Sequence, residues 1–201
     1  MSYDLKNIFP KKYFVSLKKS SLDTKHMEYM VENDFEVLKL DDYNKNAYQQ
    51  EMSCPECLKG GDACFEKNEK IYIIEFKNTY LDQKKIYEIM EKMYASCIVL
   101  MDKLDADLSY FKENVCFVVV YTFKKDCDEI EKFNDVDAFQ SMGMNRIKNA
   151  VARRSTKMIK KIDNRAFGLK KLEKYIYNEV NAIPVNYFQK YLQEENITAL
   201  E

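Results

Sequence analysis

The spacing of apolar and polar residues along the chain predicts an α/β domain with a mixed central β-sheet. Apolar residues at helical spacing predict a first helix over residues 22–33 and a long amphipathic helix over residues 81–104. Apolar runs predict four strands, at residues 35–40, 62–65, 70–77 and 115–123. The predicted order of elements is therefore α-β-β-β-α-β, with helices flanking the sheet.

The remainder of the chain is predicted to be a polar loop and a mainly helical tail. Residues 41–59 are polar, which is typical of a loop. Beyond the last strand of the core the pattern favours helices, interrupted at Gly168 and by a β-leaning stretch that ends at Pro184; the helical ranges are 128–133, 136–161 and 186–195. We therefore predict a core over residues 1–125 and a helical, basic C-terminal region over residues 126–201, packed on the same domain.

Composition narrows the class of protein. The chain has 201 residues, 46% of them hydrophobic and 32% charged, and only 4 glycines and 3 prolines, which indicates a globular protein with a sizeable core. The first residues carry no apolar segment of the signal-peptide type, and the longest apolar run, Val115–Tyr121, is too short to span a bilayer. We therefore expect a cytoplasmic protein with reduced thiols and no membrane partner.

Two acidic residues and a lysine stand out near the end of the third predicted strand. Glu75 and Lys77 are two positions apart, so they lie on the same face of that strand. Asp62 begins the preceding strand, and a turn at Asn68-Glu69 folds the two strands into a hairpin that brings Asp62 beside Glu75. Since neighbouring strands are about 4.8 Å apart, the two carboxylates can share a divalent cation such as Mg²⁺ or Mn²⁺. Lys77 could then position a water molecule or neutralise charge on a phosphate.

This constellation, together with the order of elements around it, resembles the PD-(D/E)XK nuclease superfamily over residues 20–123. The resemblance implies that Asp62 and Glu75 hold the metal ion as part of the catalytic set, and that Lys77 is the catalytic lysine that assists the attacking water. The alternative without a catalytic role is an exposed ion pair between Glu75 and Lys77, which would contribute about 0–1 kcal/mol to the stability of the fold. The apolar residues around Glu75 favour the catalytic interpretation; they are Ile71, Ile73 and Ile74.

The resemblance also implies a further metal ligand and contains one departure. Members of the superfamily often add a glutamate from the first helix, for which Glu28 is the first candidate and Glu32 the second. The residue before Asp62 is Gly61, where the superfamily motif has proline. That proline is frequently replaced, so the departure weakens the match only slightly.

A basic stretch in the C-terminal region is the predicted nucleic-acid surface. Acidic residues are sparse there, and several basic side chains share one helix face at spacings of four, seven and eight residues. Such a face can follow a phosphate backbone, although a solvated lysine-rich helix has the same composition. The residues predicted to bind nucleic acid are Arg153, Arg154, Lys157, Lys160 and Lys161.

Cysteine and histidine suggest weaker alternatives. Cys54 and Cys57 form a CxxC motif with Cys64 seven residues later, but zinc would require a fourth ligand close by. His26 is the only histidine in the chain and is expected to be a helix-surface residue. In viral cap-snatching endonucleases a histidine ligand lies on an early helix, which keeps His26 as a minor candidate.

The sequence thus predicts a divalent-metal-dependent nuclease that hydrolyses phosphodiester bonds, with DNA favoured over RNA and a role in microbial or phage defence or DNA processing. The alternative is a non-catalytic module on the same scaffold that binds nucleic acid or protein. In that case the methionine- and tyrosine-rich helix over residues 81–104 would form a homodimer or partner surface.

Overall fold

The fold is organised around a mixed six-stranded β-sheet, which confirms the predicted α/β class. The structure is a computed structural model that describes residues 3–79, 81–122, 166–195 and 197. The strands within these ranges are β1 (Phe14–Ser16), β2 (Leu22–Asp23), β3 (Glu28–Tyr29), β4 (Glu36–Leu38), β5 (Ala63–Lys67), β6 (Lys70–Lys77), β7 (Val115–Tyr121) and β8 (Glu179–Pro184). The central sheet has the order β1-β4-β5-β6-β7-β8, while β2 and β3 pair separately.

Helical segments connect and cover the strands. The α-helices of the described residues are α1 (Leu5–Ile8), α2 (Leu17–Ser20), α3 (Leu40–Tyr43), α4 (Gln49–Glu51), α5 (Gln83–Leu104), α6 (Leu108–Asn114) and α7 (Val185–Glu194). A π-helical turn, Asn44–Tyr48, joins α3 to α4, and two 3₁₀ segments lie at Lys11–Tyr13 and Ala166–Leu172. No helix of the described residues is both long and apolar enough to cross a membrane.

The sheet combines antiparallel and parallel pairing. The pairs β1–β4, β4–β5 and β5–β6 are antiparallel, whereas the pairs β6–β7 and β7–β8 are parallel. The tight turn between β5 and β6 places Asn68 and Glu69 at positive φ, as the two central residues of a type I′ hairpin require. The predicted hairpin is therefore present, and its second strand has the predicted bounds.

Alternate residues of the central strands build two separate hydrophobic cores. On one face Ile71 and Ile73 belong to the same buried cluster as Ile89 and Met93 of α5. On the other face Ile74 clusters with residues of α7, among them Phe188 and Leu192. Because side chains alternate along a strand, Glu75 and Lys77 share the face of Ile71 and Ile73, beneath α5.

The predicted first helix is wrong, because residues 22–33 contain the short β2–β3 hairpin. The Asp23 side chain accepts hydrogen bonds from the backbone N–H groups of Lys25 (3.0 Å) and His26 (3.4 Å), which stabilises a turn. Met27 follows at a φ of 54°, a left-handed conformation that interrupts any helix. The apolar spacing at Leu22, Met27 and Met30 therefore does not reflect a helix here.

The predicted loop over residues 41–59 is also wrong in its first half, which continues as α3, the π-helical turn and α4. Tyr43 and Tyr48 are buried, and Tyr43 makes edge-on ring contacts with Phe9 and Tyr13. This aromatic packing outweighs the low helix propensity of the asparagines in the segment.

Where the structure describes the C-terminal region, it contains the predicted β-leaning stretch and the predicted last helix. Its β-leaning stretch forms β8, which extends the central sheet beside β7, and α7 matches the predicted last helix to within one residue. The sheet therefore includes a strand from beyond the predicted boundary at residue 125. The predicted helices over residues 128–133 and 136–161 lie outside the described residues.

Candidate active site

A polar cleft of about 780 Å³ lies at the end of β6 that carries Glu75 and Lys77. One side, the strand wall, is formed by Asp62 just before β5, by the end of β6 and by α5, which supplies Lys85 and Lys92. The other side, the hairpin wall, is formed by residues 19–26, which run from the end of α2 through β2 into the turn before β3. Asp62, Glu75 and Lys77 all line this cleft, so the structure brings together the three residues on which the sequence prediction depends.

The register of the β5–β6 hairpin places Asp62 next to Glu75. Ala63 pairs with Ile74, so the residue before Ala63 lies opposite the residue after Ile74. The Asp62 carboxylate is fixed by its Oδ2 atom, which accepts a 2.8 Å hydrogen bond from the backbone N–H of Phe76. The main chain of one motif strand therefore orients the acidic residue of the other.

A second lysine, Lys92 of α5, joins the two carboxylates. Its ammonium lies 3.0 Å from Asp62 Oδ1 and 2.8 Å from Glu75 Oε2. The other Glu75 oxygen, Oε1, lies 2.9 Å from Lys77 Nζ. Each oxygen of the fully buried Glu75 thus faces one cation, and two lysines balance two acidic residues.

Burial and charge shift the protonation equilibria of this cluster. Burial, and next the negative charge of Asp62, raise the pKa of Glu75 to about 7, although Lys92 and Lys77 oppose the shift. Burial lowers the pKa of Lys92, but the carboxylates of Asp62 and Glu75 outweigh that effect and the net shift is upward. Lys92 therefore stays charged, while Glu75 can exchange a proton near neutral pH.

Lys92 was not predicted as a site residue, although its position on the apolar face of α5 could have indicated one. Ile89, Met93 and Ser96 lie on the buried face of α5, and Lys92 falls within the same stripe. A charged residue on an apolar helix face is costly unless it has a partner, so it points to a buried acidic group. The helix pattern alone does not say which strand supplies that group.

A third carboxylate of the cleft was also missed because its segment was predicted to be a loop. Asp41 lies in the first turn of α3, and its backbone N–H donates to the carbonyl oxygen of Gly61 at 3.2 Å. Burial raises the pKa of Asp41, and Asp62 adds to the shift while Lys92 opposes it. Asp41 is therefore close enough to the charge cluster to interact with it.

Gly61 permits the close packing that positions Asp62. A Cβ atom at this position would lie 2.6 Å from Ile73 Cγ2, far inside van der Waals contact. The Gly61 N–H donates a 3.0 Å hydrogen bond to Ser96 Oγ of α5. The glycine that departs from the superfamily motif therefore has a packing role, because only a residue without a side chain fits there.

The hairpin wall is attached to the strand wall by two hydrogen bonds. Ser20 Oγ donates to the carbonyl oxygen of Asp62. Asn78, the residue after Lys77, donates from Nδ2 to Asp23 Oδ2 at 2.8 Å. A segment far from the motif in sequence thus closes the cleft at the end of β6.

The remaining predicted site residues are not part of this cluster. Glu28 is exposed on β3, does not line the cleft and is not on a helix, so we do not assign it to the metal site. Glu32 forms a 2.6 Å ion pair with Lys18 on the surface. The predicted nucleic-acid-binding residues lie outside the described residues; they are Arg153, Arg154, Lys157, Lys160 and Lys161.

The cysteines do not form a metal site in the described part of the chain. Cys54 is exposed and Cys57 half-buried, whereas Cys64 is fully buried in β5, and all three are free thiols. Burial raises the pKa of Cys64 well above its usual range, so it is a protonated core residue.

The donor set can be compared with the needs of a divalent cation. Among the described residues no group of three or more His, Cys, Asp or Glu side chains has the arrangement of a metal site. Mg²⁺, however, often binds through one or two carboxylates and keeps several water ligands. Glu75 Oε1 is buried and receives no well-directed hydrogen bond, which leaves a lone pair for a ligand at the cleft. The Asp62–Glu75 pair thus supplies the oxygen donors that a hard, partly hydrated cation uses, although lysine ammonium groups and one amide N–H already contact these oxygens.

Comparison of the chain with protein-family models, curated proteins and solved structures gives no match. The class of protein must therefore be inferred from the fold and from the cleft. Both define a mixed α/β protein with a buried carboxylate–lysine cluster at the end of a central strand.

Proposed function

We propose that this protein is a divalent-metal-dependent nuclease with a PD-(D/E)XK-like, restriction-endonuclease-like core, and that DNA is favoured over RNA as its substrate. The observation that carries the proposal is the convergence of Asp62, Glu75 and Lys77 in one cleft, with both Glu75 oxygens within 3 Å of a lysine ammonium. Buried charges are costly to maintain, so such a cluster is more typical of a catalytic site than of a structural core.

The topology supports the same proposal. The strands from β4 through β7, with α5 between β6 and β7, follow the order β-β-β-α-β that accompanies the motif in the superfamily, although α3, the π-helical turn and α4 are inserted between β4 and β5 and α6 follows α5. Asp62 lies at the start of the second of these strands and Glu75 and Lys77 at the end of the third. No helix occupies residues 22–33, where one was predicted before β4; the β2–β3 hairpin lies there instead.

In the proposed mechanism Asp62 and Glu75 would hold a Mg²⁺ or Mn²⁺ ion at the end of β6. Such an ion would stabilise charge on the phosphoryl group and make a bound water more acidic. Lys77 orients the attacking water and neutralises negative charge that develops on the phosphate. The Phe76 N–H keeps the Asp62 carboxylate in place, and Lys92 balances the remaining charge of the acidic pair.

The cleft also offers cationic groups for the phosphate backbone. Lys19 and Lys25 of the hairpin wall line the cleft, together with Lys85 of α5. Lys85 pairs with Asp82 at 3.0 Å, whereas no ion pair of Lys19 or Lys25 is found among the described residues. We therefore propose that a nucleic-acid strand lies along the hairpin wall, where Lys19 and Lys25 neutralise its phosphates.

The test is cleavage of plasmid, single-stranded DNA and RNA with Mg²⁺, Mn²⁺ or a chelator. We expect metal-dependent cleavage by the native protein and a loss of about 10³-fold in Glu75→Ala and in Lys77→Ala. Lys70→Ala is the matched control, since Lys70 lies on the same strand and pairs with Glu179 at 3.3 Å at its other end. Thermal unfolding checks that each variant is folded.

The outcomes separate an enzyme from a binding module. Full activity in Lys77→Ala, or no cleavage of any substrate by the native protein, would contradict the proposal. The bridging position of Lys92 favours the alternative in one respect, because an ammonium already neutralises both carboxylates. Binding of nucleic acid without metal-dependent cleavage would therefore identify a non-catalytic module on the same scaffold.

A further inference from the structure

The hairpin wall carries the one histidine of the chain, His26, into the cleft. It lies in the turn between β2 and β3, and its side chain is 44% exposed. Lys77 and Glu75 line the same cleft from the strand wall. His26 and the proposed catalytic cluster therefore share one cleft, to which the turn between β2 and β3 contributes the imidazole.

The imidazole of His26 is held in a defined orientation by Asp23. The distance between His26 Nδ1 and Asp23 Oδ2 is 2.6 Å, so Nδ1–H donates to the carboxylate. Asp23 is itself fixed by the turn amides of Lys25 and His26 and by the amide group of Asn78. With Nδ1 engaged, Nε2 is the ring nitrogen that a ligand in the cleft can meet, and no hydrogen bond of Nε2 is found within the described residues.

A hydrogen-bond chain connects this histidine to the catalytic strand. Thr122, just after β7, donates from its hydroxyl to Asn78 Oδ1 at 3.3 Å. Asn78 then donates to Asp23, which holds His26. Because Asn78 directly follows Lys77, the orientation of the imidazole depends on the end of the strand that carries the motif.

The charges around His26 favour a proton donor rather than a metal ligand. The hydrogen bond with His26 lowers the pKa of Asp23, which therefore stays ionised and accepts the Nδ1–H of the ring. Cationic groups also line the cleft, among them Lys25 in the same turn and Lys85 on α5. They attract the polyanion to the side of the cleft where His26 lies.

We propose that His26 is a further catalytic residue, which donates its Nε2 proton to the oxygen that leaves the phosphorus. This proposal rests on the proposed nuclease function. Water oxygen forms a bond to phosphorus and releases one proton to solvent. The bond from phosphorus to the leaving oxygen breaks, and that oxygen takes the broken bond's electron pair together with the imidazolium proton. The neutral imidazole then regains a proton from solvent, and Asp23 keeps its orientation throughout.

A leaving-group substitution tests this role. A bridging sulfur is introduced into an oligonucleotide in place of the leaving oxygen at the bond that the native protein cleaves, as mapped from its products. Since a thiolate leaves without protonation, the loss caused by His26→Gln should be about 10²-fold on the oxygen substrate and less than about 3-fold on the sulfur substrate. Lys25→Gln, one residue away, should affect both substrates by the same factor.

The outcomes distinguish this inference from the proposed function. Equal losses on both substrates would show that His26 binds or supports the hairpin and would overturn the proton-donor role, as would an unchanged rate in His26→Gln. Either result leaves metal-dependent cleavage by the native protein intact. Failure of the native protein to cleave any nucleic acid would overturn both proposals together. Because His26 is the sole histidine, its imidazole NMR signals also report directly whether the added oligonucleotide reaches the ring.

Discussion

The two walls of the cleft hold their polar side chains by different means. In the strand wall Glu75 is fully buried on a strand that is paired on both sides, and Asp62 is fixed by a main-chain N–H. In the hairpin wall β2 and β3 share only two residue pairs, and side-chain hydrogen bonds fix Asp23 and its turn. The strand wall is thus preorganised by the sheet, whereas the hairpin wall can open locally without loss of the core.

Removal of Lys92 is the change expected to affect stability most, because it removes a positive charge from the buried ion pairs of the strand wall. Lys92→Met leaves Asp62 and Glu75 without their shared ammonium, and breaking a buried ion pair costs about 3 kcal/mol. We expect this loss in the free energy of unfolding at about pH 8, measured by urea denaturation with a chelator present. The loss should shrink near about pH 6, where Glu75 can bind a proton instead.

The control for this variant is Lys85→Met on the same helix. Lys85 pairs with the exposed Asp82, so its removal should cost less than about 1 kcal/mol. Similar losses in the two variants would mean that the burial of the Asp62–Glu75–Lys92 cluster does not contribute to stability in the way described.

The pH dependence of stability separates the two walls by its sign. The pKa of Glu75 is raised from 4.5 to about 7 in the folded protein, so between these values the folded state binds a proton that the unfolded state has released. Stability should therefore fall as pH rises through this range, by about 3 kcal/mol relative to Glu75→Gln. Denaturation of both proteins at several pH values, with a chelator present, measures the difference.

Asp23 of the hairpin wall should show the opposite behaviour. Its pKa is lowered from 3.8 by the hydrogen bond with His26, so its contribution is present at neutral pH and is lost on acidification below about pH 4. Asp23→Asn should remove that acid sensitivity and leave the decline due to Glu75 unchanged. Parallel profiles for native protein and Glu75→Gln would contradict the assignment of the neutral-range decline to Glu75.

The strand wall could be predicted from the sequence because its information is local and regular. An apolar run predicted β6, the Asn68-Glu69 turn set the register, and that register places Asp62 beside Glu75. Lys92 could be identified as a charged residue on an apolar helix face, but not as the partner of Glu75. The phase of a helix does not determine which part of a sheet it covers.

There is a physical reason why the hairpin wall could not be predicted from the sequence. Leu22, Met27 and Met30 fit helical spacing, and the choice of a turn depends on the Asp23 side chain, which bonds to the amides that follow it. The further bond from Asn78 to Asp23 joins positions 55 residues apart. The pattern of apolar and polar residues within a short stretch of sequence carries no information about a contact between such distant positions.

The smallest predicted effect tests whether the two walls are separate units of stability. Asn78→Ala removes the amide that holds Asp23, so the overall free energy of unfolding should fall by only about 1 kcal/mol. Hydrogen exchange of the Lys25 and His26 amides should nevertheless become faster by about a factor of ten or more, while that of the Phe76 amide changes little.

Thr122→Val is the matched control, since it removes the hydroxyl bonded to Asn78 and leaves the bond between Asn78 and Asp23 in place. Its hairpin amides should exchange nearly as in the native protein. If Asn78→Ala accelerates the Phe76 amide as much as the hairpin amides, the two walls open as one cooperative unit. The hairpin could then not open independently to admit a nucleic-acid strand, and substrate entry would require motion of the sheet itself.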